Sequence, residues 1–70
     1  MADVLAHITG TVWKIEVKVG QQVSEGETLV ILESMKMEMP VETTEAGTVK
    51  EIRCKEGTPV NEGDVLVVLG

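Results

Sequence analysis

The sequence predicts an all-β fold, in which two copies of one small unit pack as a pseudo-two-fold sandwich or flattened barrel. Short segments rich in Val, Ile, Leu and Thr alternate with seven glycines, which is typical of short strands joined by tight turns. Residues 13–19 alternate strictly between apolar and charged side chains, as expected of a strand with one buried face. No segment keeps a helical period over ten residues.

The third observation is an internal repeat between residues 10–32 and residues 47–69. At a constant offset of 37 positions, 12 of the 23 aligned pairs are identical, and both copies carry three glycines at the same spacing. A unit this small cannot bury its own apolar face, so the two copies are expected to pack against each other with equivalent strands in opposite sheets. The pairs predicted to point inward are Ile15/Ile52, Val17/Cys54, Val23/Val60, Leu29/Leu66 and Ile31/Val68.

Length, charge and composition exclude several functions. Seventy residues suit one domain without an enclosed active-site pocket. The net charge of −6 and the single Trp disfavour nucleic-acid binding, which needs a basic surface. The longest apolar run, residues 65–69, is far too short to cross a membrane, and no signal peptide is recognisable. One cysteine forms no internal disulfide, so a cytoplasmic, reducing location is expected.

Three isolated side chains are better explained by structure than by catalysis. Cys54 takes the place of Val17 in the other repeat copy and is therefore interpreted as a small buried hydrophobe. His7 is the only histidine, which leaves no metal site with several nitrogen or sulfur ligands, and a strand-end or turn position is expected. Trp13 aligns with Lys50, so it packs at the sandwich edge or, alternatively, contacts a partner. No nucleophile–base pair is present, and no catalytic residue is predicted.

The segment between the repeat copies, residues 33–46, contains an unusual turn. The strand that ends at Leu32 must reverse near Met35 and Lys36 and return through Pro40. Neither Met nor Lys is a preferred turn former, because Asn-Gly or Asp-Gly is the usual choice. A local rule broken at the midpoint of a duplicated fold indicates function.

Three of the four methionines lie around this turn. On an alternating strand, Met35, Met37 and Met39 point to one face, and Lys36 and Glu38 point to the other. At the tip of a hairpin the methionine face cannot be wholly buried. The sequence therefore predicts an exposed amine surrounded by flexible apolar side chains.

Residues 33–37, Glu-Ser-Met-Lys-Met, resemble the attachment motif of biotinyl domains. The Gly-Thr-Val that opens each repeat copy and the Gly-x-x-Val-x-x-Gly at 20–26 and 57–63 also resemble that family. The resemblance covers essentially the whole chain and is closest to the small stand-alone bacterial biotin/lipoyl attachment proteins of the biotin carboxyl carrier type. An excised carrier domain is the alternative. Residues 6–9 depart from the Ala/Ser-Pro-Met of many members, so the first turn is expected to differ.

This resemblance implies a barrel-sandwich hybrid of two four-stranded antiparallel sheets with the attachment lysine at a hairpin tip. It implies a single biotinyl domain over residues 1–70, with halves 10–32 and 47–69 and an attachment hairpin at 33–40. By the same resemblance Lys36 is the residue that a biotin protein ligase biotinylates. Met35 and Met37 are its recognition neighbours, and Glu33 matches the family's acidic position before them.

The function implied is that of a biotin carboxyl carrier, a non-catalytic part of a biotin-dependent carboxylase without a metal site. Biotin on the lysine takes a carboxyl group from a biotin carboxylase site to a carboxyltransferase site, so both enzymes and the ligase are the expected partners. A lipoyl carrier, or a dual acceptor of biotin and lipoate, is the alternative, although lipoyl domains usually have Asp-Lys-Ala at the tip. A non-carrier module with a hydrophobic methionine tip is the second alternative.

Overall fold

The computed structural model describes residues 2–70, which form two packed four-stranded antiparallel sheets. Their strand orders are β1-β8-β6-β3 and β5-β4-β2-β7. The strands are β1 (Ala2–Leu5), β2 (Gly10–Ile15), β3 (Gln22–Val23), β4 (Thr28–Ser34), β5 (Met37–Glu42), β6 (Gly47–Ile52), β7 (Pro59–Val60) and β8 (Val65–Leu69). The predicted all-β class is confirmed. Residues 2–70 contain no helix of a length and hydrophobicity that would span a membrane.

The pseudo-two-fold symmetry extends further than sequence identity indicates. The offset of 37 relates β2, β3 and β4 to β6, β7 and β8, and it also relates β1 to the last part of β5. Equivalent strands lie in opposite sheets, as predicted. The Gly26 N–H donates to the Thr43 carbonyl at 2.7 Å, and the equivalent Gly63 N–H donates to the Ala6 carbonyl at 2.9 Å. The structural repeat therefore spans residues 2–32 and 39–69.

The core lies between the sheets and consists mostly of Val and Leu from both copies. Its fully buried members are Leu29, Leu32, Leu66, Leu69, Val12, Val30, Val49 and Val67. The predicted inward pairs Val23/Val60 and Leu29/Leu66 are confirmed. Val17 is also buried, while Cys54, Ile15 and Ile52 are partly buried and contact the core from its margin.

The predicted inward pair Ile31/Val68 is wrong. Ile31 is half-buried and outside the core cluster, and Val68 is buried but also outside that cluster. The cause is an extra residue in each strand: Leu29 in β4 and its equivalent Leu66 in β8 are skipped in the pairing with the edge strand. After such a bulge the alternation restarts one position later, so Val30 points inward instead of Ile31.

The glycines at 26 and 63 occupy equivalent positions in tight turns. Their φ angles are +85° and +93°, in the region that favours glycine, so the two repeat copies adopt a similar φ at this turn. A Cβ added at either position would meet no atom within 4 Å. The penalty for a side chain at these sites therefore comes from the backbone conformation.

Gly26→Val and Gly63→Val are each expected to lower the free energy of unfolding by more than ~1 kcal/mol, because a β-branched residue is strained at positive φ. The two losses are expected to be similar, since the sites are equivalent. Urea denaturation measures both, with Gly26→Asn as the control, because Asn tolerates positive φ better. Unfolding free energies equal to that of the wild-type protein would contradict this explanation.

Candidate functional site

The hairpin between β4 and β5 closes through a two-residue turn formed by Met35 and Lys36. Their φ angles are 53° and 64°, and Ser34 pairs with Met37 directly below the turn. Positive φ at both central residues is the geometry that Asn-Gly normally provides. Within residues 2–70, Met35 and Lys36 are the only non-glycine residues with positive φ. The turn is therefore strained by about 1–2 kcal/mol per residue. The strained turn coincides with the position at which the sequence predicted function.

The methionines at this tip are exposed to solvent. Met35 is 92% exposed and Met37 is 58% exposed. Further along β5, Met39 is half-buried and Val41 belongs to the core, so one face of the strand passes from solvent into the interior. Met35 lies in the turn and not on that strand face, which differs from the predicted alternation of three methionines. The result is nevertheless an apolar surface on both sides of Lys36.

The side chain of Lys36 is exposed and forms no ion pair with any other residue of the described part of the chain. Glu33, the acidic residue before the motif, is exposed on β4, where it pairs with Glu38 of β5 and with Thr11 of β2. Glu33 therefore belongs to strand β4, three residues before Lys36, and not to the turn itself. Lys36 therefore lies at the tip of a hairpin whose strands are paired up to Ser34 and Met37, and its amine has no ion-pair partner in the described residues.

Sequence reasoning did not identify Gly10 as part of this site. A Cβ at Gly10 would lie 2.5 Å from the Glu33 carbonyl oxygen, so only glycine allows β2 to approach the base of the hairpin this closely. The signal was present in the repeat, because Gly47 occupies the equivalent position beside the Gly70 carbonyl. Gly10 therefore packs against the end of β4, at Glu33 and Ser34, next to the two-residue turn and not in it.

The geometry suits a site that another enzyme modifies. A primary amine is a nucleophile only when deprotonated, and lysine amines are mostly protonated at neutral pH. No group of three or more His, Cys, Asp or Glu side chains in residues 2–70 is placed to hold a metal ion. The hairpin provides exposure, a fixed position and apolar neighbours for Lys36.

The other singled-out residues lie away from the hairpin tip. His7 is exposed in a bend after β1, in line with the predicted turn position. Burial raises the pKa of the Cys54 thiol, as expected for a small apolar residue at the core margin and not for a nucleophile. Trp13 is 46% exposed on β2, and the Lys14 Nζ lies 5.9 Å from the centre of its ring. Packing therefore accounts for only part of the Trp13 surface.

Comparison with known proteins agrees with this geometry. Residues 1–69 match the model of the biotin/lipoyl family, described as "Biotin-requiring enzyme". The chain belongs to this family. It is 56% identical to the biotinylated protein TB7.3 homolog of Mycolicibacterium smegmatis over an alignment of 39 residues. This alignment covers 56% of this chain and 55% of that protein. Over 35 residues it is 50% identical to the biotin/lipoyl attachment protein of Bacillus subtilis, covering 50% and 48% respectively.

These alignments span about half the length of the curated relatives, whereas the structural matches include nearly the whole chain. A region of Kluyveromyces lactis urea carboxylase superimposes with a TM-score of 0.93 and 36% identity, covering 99% of this chain and 6% of that one. A single-chain, multi-domain long-chain acyl-CoA carboxylase gives a TM-score of 0.88 and 29% identity, covering 94% and 7%. The predicted fold and the resemblance to small attachment proteins are confirmed. The chain is a biotin-requiring attachment domain, and the role of each site residue stays a prediction.

Proposed function

We propose that this protein is a biotin carboxyl carrier whose Lys36 is biotinylated by a biotin protein ligase. The observation that carries the proposal is the position of Lys36 at the tip of a strained two-residue turn, between the exposed side chains of Met35 and Met37. The family match and the similarity to regions of two carboxylases support it.

The attachment step is an acyl transfer to the Lys36 amine. The deprotonated Nζ attacks the activated carboxyl carbon of biotin, an amide bond forms, and the activating group leaves with the bonding electron pair. The proton of the amine passes to a base of the ligase, because within residues 2–70 no carboxylate lies within ion-pair distance of the Lys36 amine. Met35 and Met37 provide polarizable apolar surface that the ligase can recognise on both sides of the lysine, and Glu33 adds the acidic neighbour of the motif.

Two features support the carrier role: the paired strands β4 and β5 form a scaffold, and the exposed side chain of Lys36 forms an arm at its tip. Lys36 would hold biotin through an amide bond, and the bound cofactor would supply the chemistry of carrying a carboxyl group from a biotin carboxylase site to a carboxyltransferase site. The paired strands β4 and β5 keep Lys36 at a fixed distance from the barrel. Tethering gives the attached group an effective concentration commonly in the millimolar range.

A dual acceptor of biotin and lipoate is the second candidate, because one relative is named a biotin/lipoyl attachment protein. Expression with both cofactors supplied, followed by intact mass measurement, distinguishes the alternatives. We expect a single biotinyl adduct. A lipoyl adduct would support the second candidate, and an unmodified chain in the presence of an active ligase would contradict both and favour a non-carrier module.

A further inference from the structure

The outer face of the β5-β4-β2-β7 sheet carries a shallow groove next to the hairpin. Its lining combines the apolar side chains of Ile31 and Pro40 with the hydroxyl-bearing Thr28 and three acidic residues, Glu16, Glu27 and Glu38. Ile31 pairs with Pro40 on β5 and with Lys14 on β2, and directly paired residues share one face of a sheet. The groove is therefore a surface feature, separate from the core and from the tip.

The duplicated fold provides an internal reference for this groove. At the offset of 37, Glu16 corresponds to Arg53 and Pro40 corresponds to Asp3. On that equivalent face the Arg53 guanidinium donates to Glu51 at 2.6 Å, so the charge is balanced within the chain. Because an arginine occupies the position equivalent to Glu16 in the other repeat copy, the fold does not require a carboxylate at this position.

The carboxylates beside the groove have no such balance. In the part of the chain that the structure describes, neither Glu16 nor Glu38 has a cation within 4.0 Å, and the amine of the nearby Lys14 lies over the Trp13 ring. Residues 21–46 contain six glutamates and one basic residue, Lys36. An apolar floor between unpaired carboxylates fits a side chain with an aliphatic stem and a cationic head.

We propose that this groove receives a Lys or Arg side chain of the biotin protein ligase, with its stem on Ile31 and Pro40 and its charge between Glu16 and Glu38. This inference rests on the proposed function. The ligase is the favoured partner because it must bring the Lys36 amine itself into its active site, whereas an attached arm can reach carboxylase sites from further away. Pro40 lies four residues beyond Lys36, about 13 Å along an extended strand, so an enzyme seated over the tip reaches the near edge of the groove at Glu38 and Pro40.

The test compares two double variants that remove the same number of charges. Glu16→Gln/Glu38→Gln changes the groove, and Asp3→Asn/Glu62→Gln changes exposed acids of β1 and of the turn before β8. Glu27 is left intact because its Oε1 accepts a hydrogen bond from the Ser24 N–H at 2.9 Å. Circular dichroism and urea denaturation confirm that each variant is folded.

The readout is kcat/KM for biotinylation of the apo protein by purified ligase at low and at physiological salt. We expect the groove variant to lose about fivefold or more at low salt, and the difference to shrink as salt screens the interaction. The control variant is expected to stay within about twofold of wild type. Equal losses in both variants, or no loss in the groove variant, would overturn the proposal that the groove binds a cationic side chain of the ligase. A wild-type chain that accepts no biotin would overturn the proposed function itself, and the groove assignment with it.

Discussion

Lys36→Arg is expected to abolish biotin incorporation and to leave the fold unchanged. Arginine keeps the positive charge and most of the side-chain length, but its guanidinium stays protonated and cannot act as the acyl acceptor. Intact mass and streptavidin binding after incubation with ligase, ATP and biotin measure the effect. Loss of the adduct is expected to be complete, because none of the other lysines lies between two methionines.

Lys50→Arg is the matched control for this variant. Lys50 is an exposed lysine on β6, in the opposite sheet from the hairpin, and its replacement is expected to leave biotinylation at the wild-type rate. A biotinylated Lys36→Arg protein would contradict the attachment site. Modification of the wild type also neutralises one amine, which takes the net charge from −6 to −7. The modified form is therefore expected to focus at a lower pH in an isoelectric gel.

Met35→Asp/Met37→Ala is expected to slow biotinylation at least tenfold, which corresponds to ~1.4 kcal/mol, and to make the chain a better lipoyl acceptor. The double variant has the Asp-Lys-Ala tip of lipoyl domains. A ligase surface shaped for methionine loses apolar contact and must also desolvate a carboxylate, which is costly when it is unpaired. Because specificity is a difference of two affinities, this repulsion adds to the effect of the lost contact.

The stability of this variant is expected to be near that of the wild type. Met35 and Met37 are exposed and bury little surface, and Asp tolerates the positive φ at position 35 better than Met does. Met35→Leu/Met37→Leu keeps the apolar surface and is expected to retain most of the biotinylation rate. Timed assays with a biotin ligase and a lipoyl ligase measure both variants. Wild-type biotinylation of the Asp/Ala variant would show that the enzyme recognises the hairpin backbone and not the methionines.

The sequence by itself determined the fold class and predicted where the candidate site lies. The glycine spacing and the offset of 37 are local patterns, and a duplicated unit with one apolar face has few ways to bury it. The same patterns placed an unusual turn at Met35 and Lys36, where the chain reverses at the midpoint of the repeat. Residue types at fixed separations were sufficient for these predictions.

The tertiary structure decided features that depend on how strands pair. The bulge at Leu29 shifted the alternation and turned Ile31 away from the core, because register depends on partners distant in sequence and not on the apolar pattern of one strand. The positive φ at the turn follows from the tight closure of β4 on β5, which overrides the preferences of Met and Lys. The acidic groove exists only because pairing brings residues 16, 27, 31, 38 and 40 from three stretches of the chain onto one face.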